Sequence, residues 1–223
     1  MIRPSSKSLL KCLIKNRKNL GIVVNKIDTS LITDMSSLFH GDSDFNEYIG
    51  DWDTKNVSNM NSMFCNASKF NKSLNKWDTG NVTDMRYMFA LTIFNKSLNR
   101  WNTKKVANMS GMFWKSNQFD RPLNKWNTKK VTNMSYMFRD AKHFNKPLDK
   151  WNTENVIDMS CMFSGAEKFD QKIHNWNRNR YNTHTYMMFA NTPSSDRHLN
   201  WLNLKPKSHH NSIHKNHHWR QAL

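Results

Sequence analysis

The sequence predicts an α/β repeat solenoid of about seven 25-residue coils, each with a short strand and a short helix. Three observations predict it. Trp52, Trp77, Trp101, Trp126, Trp151 and Trp176 recur at spacings of 25, 24, 25, 25 and 25 residues. Large apolar residues hold fixed places after each Trp. The chain also has 14 Met, 13 Phe and 9 Trp against 6 Gly and 5 Pro, too many large apolar side chains for a disordered linker.

The elements follow in chain order. Residues 1–26, with seven bases and no acid, precede the repeats. Ile27 stands 25 residues before Trp52 and opens a degenerate first unit, IDTSLITDMSSLF. Counting Ile27 or each Trp as zero, position 2 is Thr29, Thr54, Thr79, Thr103, Thr128 and Thr153. Position 5 is Ile32, Val57, Val82, Val106, Val131 and Val156, and position 8 is Met35, Met60, Met85, Met109, Met134 and Met159. Position 11 is Leu38, Met63, Met88, Met112, Met137 and Met162, followed at position 12 by Phe39, Phe64, Phe89, Phe113, Phe138 and Phe163. A second Phe column runs from Phe45 to Phe169, and an Ile/Leu column from Ile49 to Ile173. The Trp77 unit is one residue short between Phe89 and Phe94, the Trp176 unit runs one place late, and Trp201 is a candidate close.

Positions 5, 8, 11 and 12 recur at three- and four-residue steps, which predicts a helix about two turns long. Ser58, Thr83 and Thr132 at position 6, or Asn56, Asn81 and Asn155 at position 4, are its candidate caps. The segment from Leu to Thr, LDKWNT at 148–153, is predicted extended. One unit cannot bury such a stripe alone, whereas stacked units can. Met at this spacing reads as core and not as a thioether metal ligand. The Asp/Asn column at position 1, from Asp53 to Asn177, is read as a structural ladder of side chains along the stack.

The pattern W-[DN]-T-x-x-V-[ST]-[DN]-M-S-x-M-F, continued by the F-[ND]-x-x-L segment, resembles the BspA-like surface-protein repeats, also called DUF285 or mycoplasma-lipoprotein repeats. The likeness covers about residues 5–193. It implies leucine-rich-repeat-like coils, and SKSLLKCLIKN at 6–16 resembles the family's N-terminal helix. The expected organisation is therefore a basic capping helix at 1–26, the repeats at 27–193, and a weakly ordered, His-rich basic tail at 194–223. The resemblance implies no catalytic residue. Family members occur in bacteria, protists and large DNA viruses, and the Lys and Asn richness of this chain suits a viral or parasite genome.

Composition narrows the function. The net charge is +17, of which residues 1–26 supply +7 and residues 194–223 supply +4. This excess suggests anionic partners. Cys12, Cys65 and Cys161 fit neither a disulfide framework nor a metal knuckle and read as reduced thiols. His209, His210, His214, His217 and His218 match no closed four-ligand site. No membrane span and no signal-peptide pattern is present, so the expected location is intracellular: host cytoplasm, or the virion if the source is viral. No nucleophile–base pair, paired carboxylates or phosphate loop appears, so no enzyme and no cofactor are expected.

What remains is surface. In a stack, a repeated charge becomes a ridge. Lys76, Arg100, Lys125 and Lys150 precede successive Trp residues, and Lys72, Lys96, Arg121 and Lys146 lie in the F-N-x-x-L segment. Lys104, Lys105, Lys129 and Lys130 fall just before the predicted helix starts, where a helix dipole prefers negative charge and backbone donors would suit an anion. These twelve residues are the candidate partner-binding set. The expected function is a non-catalytic macromolecule-binding scaffold with a protein partner, and the alternative is binding of nucleic acid or another polyanion.

Overall fold

The computed structural model describes residues 2–177 and 183–193. The His-rich segment and Trp201 lie outside the described residues.

The chain opens with helix α1, Lys7–Lys15. Ser6 caps it by accepting a hydrogen bond from the Leu9 N–H. Leu10 and Ile14, four residues apart, are its buried face. A short 3-10 turn, Val24–Lys26, then leads into the first repeat.

The repeats do not have the predicted α/β make-up. Among the described residues, α1 and the 3-10 turn are the helices, and pairing between repeats appears as isolated parallel bridges without named strands. The bridges link Asp34, Asn59, Asp84, Asn108, Asn133, Asp158 and His184 in succession, one residue per repeat. The coil of one strand and one helix, leucine-rich-repeat-like, is thereby corrected to a chain of turns.

Backbone handedness gives the reason. Position 10 has a positive φ in Ser37, Ser62, Tyr87, Gly111, Tyr136 and Cys161, and position 14 in Gly41, Asn66, Leu91, Lys115, Asp140 and Gly165. A left-handed residue ends an α-helix, so none propagates. N–H groups instead alternate between two uses. Those of Met60, Ser62, Phe64 and Asn66 donate to the carbonyls of Asp84, Arg86, Met88 and Ala90 in the next repeat, at 2.8–3.0 Å. Those of Met63, Cys65 and Ala67 close local turns onto Met60, Ser62 and Phe64. In this stretch successive donors thus alternate between an acceptor in their own repeat and one in the next.

The proposed helix caps serve the stack instead. Asn56, Asn81 and Asn155 donate side-chain N–H to Ser30, Lys55 and Lys129 carbonyls one repeat back. Hydroxyls of Ser58, Thr83 and Thr132 donate to Thr33, Ser58 and Ala107 carbonyls in the same direction. The position-2 Thr residues, buried, donate forward, for example Thr128 to the Asn152 carbonyl at 2.8 Å. The position-1 column does not form the ladder expected of it. Its side-chain oxygens accept locally from position 3, as Asp53 does from Lys55, Asn102 from Lys104 and Asn127 from Lys129. A true ladder lies at Asn46, Asn71, Asn95, Asp120 and Asn145, each accepting from the backbone N–H of its counterpart in the next repeat.

The apolar columns are the core, as expected. The Trp, Val, Met, Phe and Leu positions are buried throughout the repeats. The two Phe of a repeat stack at 3.8–4.2 Å between centroids. Position-12 rings follow one another along the stack at 5.3–5.8 Å. The indole of each column Trp, from Trp52 to Trp176, reaches back along the stack to a carbonyl, as Trp126 does to Leu98 at 3.0 Å. The short Trp77 unit is mended by Thr92. Its hydroxyl donates to the Phe89 carbonyl and accepts from the Phe94 N–H, replacing the peptide group that Ala67 supplies in the full-length unit.

Candidate functional site

Charge is distributed unevenly along this frame. Residues 27–51 hold six acids and no Lys or Arg, and every one of those acids is paired. Asp28, Asp34, Asp42 and Glu47 meet Arg3, Lys7 and Arg17 of the N-terminal segment, while Asp44 and Asp51 meet Lys69 and Lys76 of the next repeat. Three of the seven N-terminal bases are therefore used against the first repeat. The excess cation lies beyond it: residues 94–151 hold thirteen bases and three acids.

The twelve candidate bases divide by their partners. Lys76 and Lys146 are ion-paired, to Asp51 and Asp120, each at 2.7 Å. Arg121 donates to the Asn95 carbonyl and side chain, and Lys105 to the Asn81 side chain at 2.6 Å. Lys72 is half-buried. Lys96, Arg100, Lys104, Lys125, Lys129, Lys130 and Lys150 are exposed, with no carboxylate against them among the described residues.

The local fold brings part of this set together. Leu98 to Trp101 is a turn closed by the Trp101 N–H on the Leu98 carbonyl, and Thr103 to Val106 is a second, closed by Val106 on Thr103. Between them the chain alternates, with Trp101 and Thr103 buried and Asn102 exposed. Arg100 sits at one corner, Lys104 and Lys105 at the other, and Asn102 between them. The next repeat sets Lys125, Asn127, Lys129 and Lys130 in the same places, and Lys150 and Asn152 follow. The result is a strip with cations along both edges and amides along its middle, ending at Asp78 on one side and Glu154 on the other.

Two expectations are corrected here. Lys104, Lys105, Lys129 and Lys130 occupy β-turn corners and not helix starts, so the helix-dipole argument falls away. The Lys104 and Lys129 N–H groups are already bound by Asn102 and Asn127. The column of Lys72, Lys96, Arg121 and Lys146 precedes the Leu column in each repeat, outside the two turns of the strip, and is partly neutralised.

Sequence reasoning missed Asn102, Asn127 and Asn152. The position-1 turn needs only a side-chain oxygen, and Asp or Asn supplies one equally. In the Trp52 repeat this residue is Asp53, which also pairs with Lys55 at 3.5 Å. Where the Lys pairs occur, the carboxylate has been exchanged for an amide. Comparing repeats column by column carries this signal. A shallow groove of ≈ 830 Å³ borders the strip, lined by Lys129, Lys130, Glu154 and Ile157 among others.

The family model described as "Mycoplasma protein of unknown function, DUF285" matches residues 8–100 and again 90–201. The chain belongs to the DUF285 family. In this DUF285 chain the two matches together run from α1 through every described repeat. No curated protein and no solved structure matches it. Among the described residues of this DUF285 protein, no helix is long and apolar enough to cross a membrane.

Proposed function

We propose that the chain is a non-catalytic binding module that holds an anionic macromolecule on the strip of Arg100, Lys104, Lys105, Lys125, Lys129, Lys130 and Lys150. One observation carries this reading: adjacent turns present paired lysines where the equivalent Trp52 turn keeps Asp53 as a counter-charge. Stability alone favours the carboxylate, which serves the turn and offsets the lysine. Unscreened like charges on adjacent repeats cost free energy, and an anionic partner recovers it. The strip also lacks an apolar anchor of the kind that dominates protein interfaces, since no large apolar side chain between residues 94 and 156 is exposed.

Retention on phosphocellulose tests the reading. Wild type is expected to elute at clearly higher salt than K104E/K105E/K129E/K130E, and equal elution would refute it. A protein partner, the first expectation from sequence, is favoured by a different feature. Ile157, 54% exposed, borders the groove beside Lys129 and Glu154. A complex from native cells that survives nuclease and is lost in Ile157→Asp would support that reading.

A further inference from the structure

We propose that the strip binds the phosphate backbone of duplex nucleic acid without reading base sequence, with Asn102, Asn127 and Asn152 as the residues that make it permissive to phosphate. The proposal rests on the anionic-partner reading and narrows it to one partner.

Charge density selects the partner. The strip spans three repeats, an axial length of roughly 10 Å at the ~4.8 Å spacing of paired backbones. Seven cations lie in that length: Arg100, Lys104, Lys105, Lys125, Lys129, Lys130 and Lys150. An extended acidic peptide shows one carboxylate per face every ~6.6 Å, so about two such groups fit. A duplex carries one charge per ~1.7 Å of axis with both strands counted, about six over that length, of which roughly three face one side. The duplex brings more facing charge to the strip than the peptide does.

Side-chain chemistry narrows it further. Single-strand binders use aromatic platforms on which bases stack. Here Trp101, Trp126 and Trp151 are each 3% exposed, their indoles bound to buried carbonyls, and their rings are unavailable to a base. The exposed groups are ammonium, guanidinium and amide, which suit phosphate and sugar contacts. The amides matter because a carboxylate at the same place would sit between the two cation edges and repel each phosphate. The turn accepts either residue, as Asp53 and Asp78 demonstrate. Exchanging Asn for Asp therefore changes charge at the strip and leaves the backbone as it is.

The experiment uses the full chain and a fluorescein-labelled 30-base-pair duplex of scrambled sequence, with anisotropy read from 50 to 200 mM salt. N102D/N127D/N152D places three carboxylates in the strip. N46D/N71D/N145D places three on the ladder column, outside the strip, which already accepts Asp120 and Asp170. The strip variant is expected to lose at least tenfold in affinity, with a salt slope shallower by about two. The ladder variant should lose less than threefold, and both should melt within a few degrees of wild type. Equal losses in the two variants would mean that net charge alone acts and would overturn the site. Wild type that binds heparin or polyglutamate but not the duplex would overturn the duplex assignment while leaving the anionic-partner reading in place. Wild type that binds none of the three would overturn both.

Discussion

Phe113 lies at the centre of the stack, and its truncation measures how far the repeats depend on one another. The ring is fully buried. It stacks on Phe119 of its own repeat at 3.8 Å, and on Phe89 and Phe138 of its two neighbours at 5.8 and 5.5 Å. Trp126 lies 6.5 Å away. Phe113→Ala removes the burial of one ring, opens a cavity, and breaks ring contacts in three repeats at once. Buried Phe→Ala changes cost about 3–5 kcal/mol, and the rigid rings on every side leave little room to collapse, so the upper half of that range is expected. For a chain of this size the midpoint of thermal unfolding falls by roughly 8–20 °C. Phe113→Leu, which keeps most of the volume, should cost about a third as much. Urea unfolding followed by Trp fluorescence reads both. If Phe113→Ala lowers stability by less than ~1 kcal/mol, or changes fluorescence only near its own repeat, the stack does not act as a coupled ladder of nearest neighbours and the reasoning fails.

Other perturbations address separate features. Thr128→Val keeps the shape but removes the donor to the Asn152 carbonyl, and equilibrium denaturation should show a loss of about 1–3 kcal/mol. Gly165→Ala puts a side chain on a residue with φ +73° and its Cβ against Asp140 Oδ1, so a loss of about 1–2 kcal/mol is expected in the same assay. Asp51 is held down at about 2 by hydrogen bonds from Lys76, first, and from Asn25. Its contribution is complete above the ordinary value of 3.8 and is lost as pH falls towards 2. A carboxyl NMR titration should show Asp51 titrating low in wild type and higher in Lys76→Met; an ordinary wild-type value would refute the pairing.

The site was half legible. Every base of the strip was visible as a column entry, because exposure of Lys and Arg in a repeat follows from period alone. Their grouping was not. Lys76 and Lys146 stand in the same columns as Arg100 and Arg121, yet Asp51 and Asp120 neutralise them from the repeat before. Pairing of this kind depends on which residue lies one repeat away, at sequence distances of 25 and 26. The amide column was legible in principle, since Asp53 and Asp78 change to Asn102 and Asn127 where the Lys pairs begin.

By itself the sequence determined the period, the family and the buried set. Burial needs only that large apolar side chains recur in register, and from Ile32 to Phe169 those columns form the core. The backbone path was decided by tertiary structure. Met60, Met63 and Phe64 show the three- and four-residue steps of a helix, but equal steps also arise when the chain turns left at Ser62 and Asn66 and hands its N–H groups to the next repeat. Side-chain spacing records which residues face inward. The sign of φ is settled by where each N–H finds its acceptor, and from Met60 to Asn66 every second acceptor lies one repeat ahead.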